Sequence, residues 1–368
     1  MLSNSYIKAY GITNNYLHLP DEKKYLPFII VLFIFFACGS KVKVEHPSAV
    51  ETLGRYLFFE TKISINNTKS CASCHSPQFA FTDGYRTSIT SLGENVLHNA
   101  PSLINAVYLK KFDWANPAAI SFETQIKRPL YRNHPVELGL DKHFSELQDF
   151  FKKDSLYSSL FKGAFPDSSN LFTLTQIEMA IAAYEKTLVS QASNFDEGAL
   201  NPSAYNGLKL FTGKRLNCVA CHPPSNFTLA TLTSNMDSVY ANIGLYNVGN
   251  KNEYPTTDNG LYSITHLAKD NGKFKIPSLR NVMLTAPYMH DGSIATIDEV
   301  IDMYARGGRN IDYGNYKGDG KLNTNKSPLI TGFTLTKEEK SDLIKFLTSL
   351  TDSTIFYKQL FKNPFIKN

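Results

Sequence analysis

The sequence predicts a mostly α-helical protein arranged as two similar halves with long loops, and three observations predict it. A helix pattern followed by a cysteine pair occurs twice. Several further stretches carry apolar residues at helical spacing. No stretch alternates apolar and polar residues long enough to specify a sheet.

The first element is an apolar run, Tyr25 to Ala37, preceded by Lys23 and Lys24. Its thirteen residues fall short of the roughly 20 that a helix needs to cross a bilayer. A basic flank, a short apolar stretch and then Ala37, Cys38, Gly39 and Ser40 read as an export signal covering residues 1–37. Cys38 resembles the acylated cysteine of a bacterial lipoprotein signal, which would anchor the chain in the periplasm or cell envelope. A short N-terminal anchor or a buried apolar segment is the alternative. The stretch before Lys23 is long for a signal leader, so a start codon further along is also expected.

The next elements carry the duplication. Ala49 to Phe59 and Ala204 to Phe211 both have helical spacing and contain Gly-x-x-Leu-Phe, at 54–58 and 207–211. Each is followed by Cys-x-x-Cys-His, and the first cysteines, Cys71 and Cys218, lie 147 residues apart. Further helices are expected at Phe144 to Lys152, Thr175 to Leu188, Thr296 to Tyr304 and Thr336 to Leu350. Thr175 with Glu178, and Thr336 with Glu339, have capping-box spacing. Gly, Asn, Pro and Tyr fill the long stretches 242–260 and 307–331, which read as loops. The expected division is 48–195 and 196–355, one cysteine pair in each.

The chain has 368 residues, 42% hydrophobic and 19% charged, ordinary for a globular protein of about two domains. A net charge of +5 without a Lys/Arg run excludes an obvious nucleic-acid surface. Four of the five cysteines form the two pairs. A disulfide framework would need neither the repeated spacing nor the histidine behind each pair. Cys71-Ala72-Ser73-Cys74-His75 and Cys218-Val219-Ala220-Cys221-His222 fit the attachment site of c-type haem. Two thiols a turn apart add to the two vinyl groups of one haem, and the adjacent His reaches its iron. Zinc, which wants four N/S ligands from paired clusters, is the alternative for a single copy.

Several blocks, taken together, resemble one family: the bacterial di-haem cytochrome c peroxidases and their relative MauG. They are Leu-Gly-Arg-Tyr-Leu-Phe-Phe (53–59), Ser-Cys-Ala-Ser-Cys-His (70–75), Ala-Phe-Thr-Asp-Gly (80–84) and Asn-Ala-Pro-Ser-Leu-Ile-Asn (99–105). His-Pro-Val-Glu-Leu-Gly (134–139), Phe-Lys-Ile-Pro-Ser-Leu-Arg-Asn-Val (274–282) and Leu-Thr-Ala-Pro-Tyr-Met-His-Asp-Gly-Ser (284–293) complete the set. The resemblance spans Leu53 to Leu350 and implies two cytochrome c-like domains, a peroxidatic N-terminal one and an electron-transferring C-terminal one.

It also implies roles. Glu137 corresponds to the distal acid–base group and Gln125 to its hydrogen-bonding companion, and Trp114 to an electron relay between the haems. A loop carboxylate, an exposed amide and a core aromatic are the respective alternatives. Many members block the first iron with a His sixteen residues past the haem-binding His; that position is Ser91, so an open first iron, ligated by His75, is expected. His98 and His134 lie further along, as loop histidines without an assigned role. His222 ligates the second iron. Fourteen residues after His290, where the peroxidases carry Met and MauG carries Tyr, stands Tyr304 with Met303 beside it. Neighbours on a helix point about 100° apart, so one of them faces the iron, and the MauG-like Ala305-Arg306-Gly307-Gly308 that follows implies Tyr304 over Met303. Asn99, Thr285 and Pro287 match the family's calcium site, and His290 belongs near the second haem.

The reading is an exported peroxidase that reduces hydrogen peroxide with electrons from a cytochrome c, a cupredoxin or a quinol pathway. Tyr304 supports a MauG-like alternative, high-valent oxidation of a partner protein. A non-enzymatic electron-transfer lipoprotein is the third reading.

Overall fold

Each half of the chain is organised around two helices that cross at a glycine. The structure is a computed structural model describing residues 47–366, so the expected export signal and Cys38 lie outside the described residues. Helix α1 (Ala49–Phe59) starts at a capping box: Ser48 Oγ accepts from the Glu51 N–H at 3.2 Å and Glu51 accepts from the Ser48 N–H at 2.7 Å. Leu53, Leu57 and Phe58 make its apolar stripe and are fully buried. They pack in one core with α2 (Phe144–Lys153), α3 (Ser155–Ala164) and α4 (Leu174–Lys186). In the second half, α5 (Pro202–Thr212), α6 (Ile297–Arg306) and α7 (Lys337–Thr348) surround a separate core that includes Phe211, Phe227, Ile301 and Phe346.

The repeated glycine has a steric reason. A Cβ on Gly54 would lie 1.8 Å from the Ala180 carbonyl oxygen of α4, and one on Gly207 would lie 2.0 Å from that of Asp342 in α7. The Phe four positions on packs against an aromatic one turn further along the partner helix. Phe58 meets Tyr184 at 5.1 Å and Phe211 meets Phe346 at 5.0 Å between ring centroids. Gly-x-x-Leu-Phe is thus the near side of one helix crossing, made twice.

One expectation changes, and two features go beyond the expected elements. Helix α4 begins two residues early, because Thr173 and Gln176 form the capping box that the sequence assigned to Thr175 and Glu178. Glu178 instead accepts a 2.6 Å bond from the Tyr131 hydroxyl. Helix α3, capped by Asp154, was not anticipated. And the chain's end returns to the first half: Ile355 and Phe361 join the core of α1–α4, while Tyr184 donates to the Leu360 carbonyl and Arg55 to that of Lys362.

Strand structure among the described residues amounts to two short antiparallel pairs, Tyr240–Ala241 with Phe274–Lys275 and Asn310–Ile311 with Gly318–Asp319. The loops 242–260 and 307–331 are fastened to each other. Arg309 N–H donates to Gly244 O at 2.9 Å, Gly249 N–H to Lys317 O at 2.8 Å, and Asn247 Nδ2 to Asp319 O at 2.8 Å. Asparagine side chains thereby satisfy backbone groups that no helix or sheet serves. No helix among the described residues is long and apolar enough to cross a membrane.

Candidate cofactor and active site

Both cysteine pairs sit in a single helical turn, Cys71–Cys74 and Cys218–Ala220, closed by the same bond. The His75 N–H donates to Cys71 O and the His222 N–H to Cys218 O, both at 2.9 Å. None of the four cysteines is joined in a disulfide. Burial pushes Cys74 up to about 11 and Cys218 up to about 12, and raises Cys71 and Cys221 as well. The histidines repeat one arrangement: His75 Nδ1 lies 2.9 Å from Phe81 O and His222 Nδ1 lies 2.8 Å from Phe227 O. A carbonyl only accepts, so Nδ1 carries the proton in each ring and the Nε2 lone pair is left for a metal. Burial holds both imidazoles below their ordinary pKa, in the neutral form that ligates. Among the described residues, no three His, Cys, Asp or Glu side chains gather as a metal cluster. A zinc site would need such a gathering; one imidazole following two thiols in sequence, repeated at two cavities, is the donor set of haem c.

The first cavity is lined by Cys71, Cys74 and His75 together with Gln125, Glu137 and Glu185. The second is lined by Cys218, Cys221 and His222 together with Phe211, Tyr304 and Ile301. Trp114 lines both. Its indole N–H donates to Asn99 O at 2.9 Å, and the Lys275 ammonium stands 5.5 Å from its ring centroid.

Glu137 is drawn in two directions. Burial raises its carboxyl, while Arg128 and Arg132 lower it, Arg132 Nη1 donating to Oε1 at 3.4 Å; burial prevails. Its backbone is pinned by Ser91, whose N–H and hydroxyl both donate to the Glu137 carbonyl, at 3.0 and 2.6 Å. Tyr304 is half-buried and lines the second cavity, where desolvation and then the neighbouring Cys221 and Cys218 raise its hydroxyl pKa. Met303, 5% exposed, is absent from that lining and lies in the core of Trp114 and Leu245, against which Tyr304 also packs. His134 is exposed. His98 and His290 clamp Asp258 between them, Nε2 to Oδ at 3.0 and 3.2 Å. Burial opposes ionisation of Asp258, yet the bonds from His290 and His98 hold it at about 2. Asn99, Thr285 and Pro287 all border the second cavity. Asn99 Nδ2 donates to Tyr85 O, and Thr285 Oγ1 donates to Val282 O.

Sequence reasoning did not single out Glu185, Lys275, Arg132 or Asp258. Glu185 had a signal: it continues the buried 177–181 row of α4, a carboxyl on an apolar face.

Twin cysteine–histidine turns, each opening on its own cavity with a tryptophan between, define an oxidoreductase built for two c-type haems. The chain belongs to the di-haem cytochrome c peroxidase family. A family model with that description, di-haem cytochrome c peroxidase, matches residues 48–202. The cytochrome-c peroxidase IdrP1 of Pseudomonas sp. (strain SCT) is 32% identical over 345 residues, covering 85% of this chain and 84% of the relative. The methylamine utilization protein MauG of Methylophilus methylotrophus is 31% identical over 318 residues, covering 83% and 84%. A crystal structure of a MauG-like protein associated with microbial copper homeostasis superposes with a TM-score of 0.83 at 37% identity, over 95% of this chain and all of that one. The protein is a peroxidase-type oxidoreductase, the family implies two haem c groups, and the donor sets at 71–75 and 218–222 fit them.

Proposed function

We propose that the chain reduces hydrogen peroxide to water in its first cavity, taking electrons from a small redox protein, a cytochrome c or a cupredoxin. When bound, the haems supply the redox chemistry, through His75 in the first cavity and through His222 and Tyr304 in the second. The observation that carries the reading is that His75, Glu137 and Gln125 line one cavity that Trp114 separates from its twin. Glu137 accepts the proton of the near peroxide oxygen and returns it to the departing one. Arg132, bonded to Oε1, favours the ionised form that can accept that proton. Gln125 orients the carboxyl or the peroxide, and Ser91 fixes the loop carrying Glu137 while offering no imidazole to obstruct the cavity. Trp114 passes electrons between the cavities, held by Asn99. A calcium ion at Asn99 Oδ1 and the carbonyls of Thr285 and Pro287 would brace this junction; the Asn99 amide N–H bond to Tyr85 leaves Oδ1 available. The sequence before residue 38 supports a periplasmic or envelope location with a lipid anchor at Cys38.

Tyr304 at the second cavity favours a second reading, high-valent oxidation of a partner protein, which the resemblance to MauG implies. A phenolate favours oxidised iron where a thioether favours reduced iron. Peroxide turnover by the holoprotein with a reduced cytochrome c or cupredoxin decides. Glu137→Gln is expected to slow turnover by about a hundredfold or more with both haems retained. An unchanged rate, or a resting ferric spectrum without a high-spin haem, refutes the peroxidase reading.

A further inference from the structure

Glu185 is a carboxyl that the scheme above leaves unused. It lies in the last turn of α4, is 5% exposed, and lines the first cavity with Cys71, His75, Gln125 and Glu137. Its Oε2 is sealed from solvent and meets no hydrogen-bond partner, and among the described residues no cation pairs with the carboxyl. The groups facing it offer no compensation. Glu123, on the turn Phe122–Gln125, carries the same charge and is itself paired with Lys186 at 2.6 Å. Cys71 is uncharged, as a thiol or as the thioether of an attached haem, and Tyr184 gives its hydroxyl hydrogen to Leu360 O. On the cavity wall Arg128 is engaged by Asp113, and Arg132 reaches Glu137. A buried carboxylate without donor or counter-ion takes up a proton. Burial, with the like charge of Glu123 added, pushes Glu185 up to about 8.

We propose that Glu185 is a second proton-carrying acid of the first cavity, neutral at rest, which donates its proton to the peroxide reduced there. The inference rests on the peroxidase reading. Reducing one hydrogen peroxide to two waters breaks the O–O bond and consumes two electrons, from the reduced donor protein, and two protons. Glu137 moves a proton from one oxygen to the other and so adds none. The protons must come from groups that hold them, and Glu185 is a loaded acid on the wall of that cavity. It gives one proton to the oxygen left behind when the first water departs, is left as a carboxylate, is reprotonated from water, and gives the second proton with the second electron.

The holoprotein gives two independent readouts. Infrared difference spectra of wild type near neutral pH should contain a protonated-carboxyl C=O stretch that shifts in heavy water and is missing from Glu185→Gln. Glu185→Gln should lower kcat for peroxide about tenfold or more with KM little changed, and should lose the decline in rate that wild type shows above about pH 8. Glu185→Asp should recover part of both signals. Wild-type kcat in Glu185→Gln overturns the proposal, as does a carboxyl band that is absent from wild type or persists in the variant. Should the Gln variant fail to bind two haems, the wild-type band and the Asp variant still decide. A wild type that ignores peroxide while keeping the band removes the peroxidase reading, and the donor role with it; loss of the band alone overturns only this inference.

Discussion

Replacing Lys275 by methionine tests whether the space between the cavities is electrostatically tuned. Lys275 is 4% exposed, its backbone N–H donates to Trp114 O at 2.8 Å, and its ammonium stands 5.5 Å from the centre of the indole. Burial pulls it down to about 8 against the attraction of Asp113, so near neutral pH the charge is still present in most molecules. Removing an electron from Trp114 places a positive charge on the ring beside that ammonium. At an effective dielectric of about 20, two unit charges 5.5 Å apart repel by about 3 kcal/mol, equivalent to about 130 mV for one electron. The charged lysine therefore keeps the hole from resting on the ring. Methionine fills similar volume without charge, so Trp114 becomes easier to oxidise by that amount. Freeze-quench EPR after peroxide should show little tryptophan radical in wild type near pH 7 and clearly more in Lys275→Met, with Trp114→Phe confirming the source. Raising the pH past about 8 discharges Lys275 and should bring the wild type toward the variant, whose signal stays flat. Equal radical yields near pH 7, or a pH response that survives in the methionine variant, would refute the reasoning.

Other perturbations have equally definite outcomes. In Gly207→Ala the new methyl meets Asp342 O at 2.0 Å, and parting α5 from α7 should cost about 1–3 kcal/mol in thermal unfolding, whereas Gly163→Ala, with open space around it, should gain up to about 1 kcal/mol. Cys218→Ser with Cys221→Ser should lower the mass of the denatured protein by one covalently held haem, leaving the other in place. Tyr304→Phe should alter the optical and EPR spectra of the second haem, while Met303→Leu, a change inside a packed core, should leave them as they are.

What the sequence reveals is what local chemistry dictates. Cys-x-x-Cys-His is set by the size of one haem, and the Gly-x-x-Leu-Phe repeat by one helix crossing, so both are visible over a few residues. The start of α4 was ambiguous for a physical reason. Thr173-x-x-Gln176 and Thr175-x-x-Glu178 are overlapping capping boxes, and the choice falls to Tyr131, distant in sequence, which occupies Glu178. The return of Ile355 and Phe361 to the first core, and the meeting of His98 and His290 on Asp258, depend on partners too far apart in the chain for any spacing rule. Lys275 sits inside a block noticed only as a run of resemblance. Its importance lies in the absence of a carboxylate partner among the described residues, which only folding reveals.

The duplication also locates what separates the two halves chemically. Up to the histidine they are built alike: the same glycine crossing, the same helical turn of cysteines, the same Nδ1 bond to a carbonyl a few residues on. Scaffold and proximal ligand therefore cannot be what makes the cavities different. The difference must come from the rest of each wall, where the first cavity has the carboxyls of Glu137 and Glu185 with Gln125 and Arg128, and the second has Tyr304, Lys275, Arg280 and His290 but no carboxyl in its lining. Carboxylic acids can hold and move protons, with an amide to orient them; a phenol with its pKa raised can cap a metal but delivers no proton near neutral pH. Peroxide reduction consumes protons as well as electrons, so the proposed function assigns it to the wall that carries acids, and would leave the second cavity to store and pass charge.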